Sequence, residues 1–92
     1  MAAVTPVAGT DRVEYLGTKR VQLAQFTPNN GDTWTTYMRT IDSIDWAYLA
    51  TPTAGTDMVS FTFTQGTATA AAIVNFVVAG TARLICVKVW GD

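Results

Sequence analysis

The side chains from which a reactive site could be built are few: one thiol, Cys86, seven carboxylates and ten aromatic rings, with no histidine. A serine or cysteine nucleophile needs a neighbouring base, most often an imidazole, and this chain supplies none. Cys86 lies inside the most apolar stretch, where a thiol is expected to be an inert core residue. A lone thiol cannot make a zinc site, nor an internal disulfide. Asp42 and Asp45 lie three residues apart, and Asp11, Glu14, Asp32, Asp57 and Asp92 complete the acids. Paired acids can cleave glycosidic bonds. They are equally ordinary in turns and at strand ends, and a chain this short leaves little room for a substrate cleft. Asn29-Asn30-Gly31-Asp32 lacks the alternating acids and terminal glutamate of a calcium loop. It reads as a hairpin turn, Asn-Gly supplying the positive φ angles. No phosphate-binding glycine loop is present. The expectation is a protein without catalytic residues, cofactor or metal.

Aromatic rings are the remaining candidates. Trp34, Tyr37, Trp46, Tyr48 and Trp90 could form a stacking surface for a sugar or for single-stranded nucleic acid. The net charge is −1 and the six basic residues are scattered, which argues against a nucleic-acid partner. A sugar platform through Trp34, Trp46 and Tyr48 stays open. Core packing or subunit contact is the reading preferred for these rings.

The elements that would carry them are strands. β-Branched and aromatic residues dominate, and Gly, Asn and Pro punctuate at short intervals. Strands are predicted at 12–16, 20–27, 33–38, 41–50, 59–64, 69–78 and 82–90. The segment 41–50 has some helical spacing, but Ile44, Trp46 and Tyr48 alternate with Asp45, Ala47 and Leu49, which favours a strand. In 59–64, Val59, Phe61 and Phe63 face one way and Ser60, Thr62 and Thr64 the other, the pattern of a strand with one wet face. The last two strands carry Ile73, Phe76, Ile85 and other apolar residues on both faces. They read as a hairpin turning at Gly80-Thr81, central in a sandwich or shared with a partner. The fold class is all-β, a small antiparallel sandwich or barrel of about six to seven strands. Residues 1–10 form an extended N-terminal arm with Val4, Pro6 and Val7 as contact residues, and residues 11–92 form a single β-domain.

The totals favour association. A 92-residue domain buries a modest share of its surface and gains from oligomerisation where disulfides and metal are missing. Only 14% of residues are charged, against about 25% in an average soluble domain. The N-terminus lacks the basic and apolar regions of a secretory signal, and the apolar run at 68–82 is too short to span a bilayer, so no membrane partner is expected. A free cysteine suits synthesis in a reducing cytoplasm.

A small-residue arm, a Thr/Gly-rich β-body and a closing strand ending Val87-Lys88-Val89-Trp90-Gly91 together resemble the small structural proteins of tailed bacteriophages. Among these the chain is most similar to capsid decoration, or cement, proteins. The resemblance implies a homo-oligomer, commonly a trimer, on the outer capsid of the virion. There it would bind the major capsid protein and stiffen the shell. The arm would contact the shell, and Trp34, Tyr37, Trp46, Tyr48, Ile73, Phe76, Ile85 and Trp90 would supply oligomer or partner contacts. A tail, neck or baseplate component is the structural alternative, and a carbohydrate-binding module the alternative of another class.

Overall fold

The computed structural model describes residues 3–92, an all-β protein of seven strands. They are β1 (Arg12–Leu16), β2 (Lys19–Phe26), β3 (Thr33–Thr35), β4 (Ile41–Tyr48), β5 (Met58–Thr64), β6 (Ile73–Ala79) and β7 (Ile85–Gly91). They form two antiparallel sheets, ordered β1-β2-β7-β4 and β3-β6-β5. The ambiguous 41–50 segment is a strand, because its inward alternation places Ile44, Trp46 and Tyr48 opposite Val89, Val87 and Ile85 of β7.

The core lies between the two sheets. Ala24, Phe26, Ile85, Val87 and Val89 come from the four-stranded sheet; Trp34, Val74 and Phe76 come from the three-stranded one, with Ile41, Met38 and Ala72 filling the rest. Rings form an unbroken chain through this space: Trp34 to Phe26 at 4.8 Å, Phe26 to Phe76 at 5.1 Å, Phe76 to Phe61 at 5.5 Å, Phe61 to Trp46 at 5.8 Å and Trp46 to Tyr48 at 4.9 Å between centroids. All five pairs are tilted or edge-to-face, the arrangement that ring quadrupoles favour.

Three sequence expectations are corrected. β6 and β7 do not form a hairpin. Each is the centre of a different sheet, which is why both are so apolar, and the chain crosses the sandwich between them. The turn at Asn29–Asp32 forms, with Gly31 at φ +86° and the Asp32 amide donating to the Asn29 carbonyl at 3.1 Å, but it too carries the chain between sheets. β3 stops at Thr35 because Thr36 turns its hydroxyl onto the Ala72 carbonyl (2.8 Å) and accepts the Met38 amide on the same oxygen.

The N-terminal arm docks on the domain itself. Its first two residues lie outside the described residues. From Ala3 onward it is bound to its own domain. Ala3 bridges to Thr33, the Val4 amide donates to the Thr33 carbonyl at 2.8 Å, and the Val7 amide donates to the Gln25 carbonyl at 2.8 Å. Thr10 fixes the return, its hydroxyl accepting the Gln25 amide at 3.1 Å and donating to the Val7 carbonyl. Val4 packs against the core. The arm therefore straps the edge of β3 to β2. Deleting residues 1–10 removes one half-buried valine and these strap bonds; at about 1.5 kcal/mol for the valine and about 1 kcal/mol per hydrogen bond, the loss is a few kcal/mol. Urea unfolding should show a much lower midpoint for the deletion than for the whole chain; an unchanged midpoint would mean that the strap contributes nothing.

Candidate interaction surfaces

Strand alternation decides which predicted contact residues reach the surface. Trp34 is 3% exposed, and Phe76 and Ile85 are fully enclosed, so these three are core, not partner surface, in this fold. Their partners across the sheets, Val74, Phe61 and Phe26, show why: all face inward. Tyr37 is the opposite case at 63% exposed, just after β3. Trp46 and Tyr48 face inward, but they stand on the edge strand β4, so Trp46 keeps 36% of its surface open. Ile73 and Trp90 lie half-buried on the two outer sheet faces. Of the arm residues, Val4 and Pro6 are half-buried and Val7 is exposed.

The outer face of the four-stranded sheet is the more featured of the two. Its rows read Glu14, Val21, Trp90, Ser43; then Arg12, Leu23, Lys88, Asp45; then Gln25, Cys86, Ala47. The Lys88 ammonium sits over the Trp90 ring at 5.3 Å from its centroid. Cys86 is not in the core. Ile85, Val87 and Val89 take the inward positions, and alternation leaves Cys86 half-buried on this outer face. It lies at the centre of a shallow depression of about 360 Å³ bordered by Leu23, Gln25, Asp45 and Lys88.

The carboxylates are distributed as structural ties. Asp42 and Asp45 do not share a partner: Asp42 pairs with Lys19 at 2.9 Å, and Asp45 stands across from Lys88. Lys19 also reaches Asp92 at 3.0 Å, and these two hydrogen-bonded acids raise its pKa. Asp11 accepts from Gln22 Nε2 at 3.0 Å, and Asp32 accepts the Asn29 amide at 2.8 Å. No group of three or more thiol or carboxylate side chains is gathered for a metal ion among the described residues.

Three polar residues to which the sequence assigned no specific tie organise the loops. Gln22 is fully buried in β2, donating to Asp11 and accepting the Tyr37 amide at 2.8 Å. Gln65 holds the backbone of Ile41 from both sides, accepting its amide at 2.7 Å and donating to its carbonyl at 3.0 Å. Asp57, its side chain 4% exposed, joins the β4–β5 and β6–β7 loops. It accepts the Thr53 and Thr81 amides at 2.8 and 2.9 Å and the Arg83 Nε–H at 2.8 Å. Gly80, at φ +76°, passes so close that a Cβ there would collide with the Asp57 carboxylate.

Two predictions come from this arrangement. The Thr53 and Thr81 amides, then Arg83, lower the Asp57 pKa from 3.8 to about 2. A group whose folded pKa is depressed stabilises the fold above its unfolded value and loses that contribution as pH falls through the folded one. Asp57→Asn should thus lower the urea midpoint at neutral pH, and the gap from wild type should close between pH 3.8 and about 2. A gap independent of pH would assign the effect to packing. For Cys86, alkylation of the native protein should proceed without unfolding, at the same rate in dilute urea as in buffer; labelling that tracks global unfolding would return the thiol to the core. In comparison with known proteins, the chain matches no family model, no curated protein and no solved structure.

Proposed function

We propose that this chain is a non-enzymatic structural protein of a virion, a decoration protein that attaches as a homo-oligomer to the major capsid protein on the outer capsid surface. The observation that carries the reading is the distribution of its side chains. Its carboxylates tie loops, strands and turns together, and its remaining distinctive surface is two broad sheet faces and an open side lined by half-exposed rings. Such surfaces suit contact with another protein better than capture of a small substrate. The low charge, 14% of residues, fits a surface that is partly covered in use.

The docked arm bears on where we place the proposed attachment. With residues 3–10 strapped to their own domain, the arm is not free to run across a neighbour. The outer face with Lys88, Trp90 and the Cys86 depression takes its place, and Val7 and Tyr37 add exposed contacts beside the strap. The carbohydrate reading weakens. Trp34 is enclosed, and Trp46 meets Tyr48 at 79°, edge to face, so the three rings form no flat platform for a sugar.

The test is addition of the purified protein to capsids that lack it, followed by co-sedimentation and electron cryo-microscopy. Saturable binding with new density on the shell exterior is expected, reduced by Trp90→Ala together with Lys88→Glu. Density confined to the tail or neck would move the protein there, and absence of binding to any virion part would overturn the proposal.

A further inference from the structure

The two sheets end in four edge strands, β1, β4, β3 and β5, and three of them are protected against pairing with another chain. Natural edges are blunted by charge, by bulges, by shortness or by cover. β1 has five residues and carries Arg12 and Glu14. β4 carries Asp42 and Asp45 and is bulged between Ile41 and Ser43. β3 has three residues and is covered by the Ala3 bridge. β5 has none of these devices. Its seven residues, Met-Val-Ser-Phe-Thr-Phe-Thr, hold no charge and no proline, and its pairing with β6 runs in unbroken register. In such a strand alternate residues turn their N–H and C=O groups away from the sheet.

The same side of the sandwich is the side left open. Phe63, which faces inward, is nevertheless 44% exposed, and Trp46 on β4 is packed against Phe61 across the gap. We infer that β5 is the contact between two copies of this chain, which pair their β5 edges antiparallel about a two-fold axis at Phe61. This deepens the proposed function, resting on its reading that copies associate, and names where they meet.

The sequence of β5 is what selects a second copy as the occupant. An isologous contact sets a strand against its own reverse. About Phe61 that reversal places Phe61 against its own copy and Val59 against Phe63 of the partner subunit, on the inner face. On the outer face it places Ser60 against Thr62 of the partner subunit. These are aromatic, aromatic-aliphatic and hydroxyl pairs, the cross-strand combinations that stabilise antiparallel sheets. A charge anywhere near the centre of β5 would be brought close to its own copy, and there is none. β4 could not pair this way without bringing its acids towards each other. The joined three-stranded sheets would form one six-stranded sheet, and the contact closes on two copies. Any threefold cluster would use other surfaces.

Ser60 and Thr62 are exposed, so charges there leave the monomer intact while altering the edge. Sedimentation equilibrium over a concentration series should show the wild type in monomer–dimer exchange. Ser60→Lys with Thr62→Lys sets ammonium groups opposite one another and should weaken the dimer by about tenfold or more. Ser60→Lys with Thr62→Glu sets opposite charges across the axis and should restore it. Circular dichroism and urea midpoints, measured on monomer, should match for all three. The inference is overturned by a wild type that stays monomeric at the highest attainable concentration. It is equally overturned by an oligomer that responds alike to both double variants. Capsid binding is measured in parallel. Dimerisation without capsid binding would leave the β5 contact standing and remove the virion reading; capsid binding by a monomer would do the reverse.

Discussion

The interaction on which the rest of the structure depends is the seat of Phe76 between Phe26 and Phe61. Phe76 belongs to the central strand of the three-stranded sheet, and through Phe26 it holds the four-stranded one. Phe26 in turn holds Trp34, and Phe61 holds Trp46, so five of the seven strands are joined through one line of rings. Each tilted pair is worth about 0.5–1.5 kcal/mol beyond the area it buries. In a domain whose single cysteine permits no internal disulfide this line does the work of a staple. It also fixes the spacing of the sheets, since rings of this size cannot be closed over or slid past one another without opening a cavity.

The ring line runs from enclosed to open. At the Trp34 end the core is sealed by the arm, which covers β3 with Ala3 and ties into β2 at Gln25. At the Trp46 end no segment among the described residues performs that service. The gap between β4 and β5 is held at one end by Gln65 on Ile41 and at the other by the Asp57 junction of the loops, while between them side chains pack without a strap, Trp46 against Phe61 with Ile44 and Val59 beside the core. A single strap on one side and side-chain ties on the other give the sandwich a closed flank and an open one. The low charge of the sequence is therefore not spread evenly in its consequences: the open flank carries the uncharged edge.

Much of this was legible in the sequence, and the failures have definite physical causes. Alternation in 59–64 and 41–50 identified β5 and β4, because a sheet with one buried face imposes period two on its strand. The apolar character of both final strands correctly marked them as central. It could not say which sheet each centres, because pairing is decided by partners distant in sequence, and the Gly80 turn suits a crossing as well as a hairpin. Alternation inside β7 could have placed Cys86 outward had Ile85, Val87 and Val89 been given the core. Trp34 was misplaced because the ring of an interface and the ring of a core have the same composition, and only the facing sheet distinguishes them. Gln22, Gln65 and Asp57 left no local signal at all. Each acts by capping backbone groups in a segment 15 or 24 residues away, Asp57 also in its own turn, a relation that exists only once the sheets are stacked.

Those polar ties also explain how so small a chain tolerates so many sheet crossings. The strand order requires four passages between sheets, and every passage leaves backbone amides and carbonyls that the ladders cannot satisfy. Among the described residues, no buried side-chain polar atom lacks a partner, and the partners are largely these loop groups. Thr36 serves the Ala72 carbonyl, Asp32 the Asn29 amide, and Asp57 three donors at once. Bound carboxylates of this kind are oriented by fixed donors, and Asp57 is held ionised by them. That is the electrostatic state of a structural cap rather than of an acid poised to exchange a proton. Asp57 is thus committed to closing a crossing, and outward the domain presents a face with Lys88 and Trp90 and, among the described residues, an edge strand with one side unpaired.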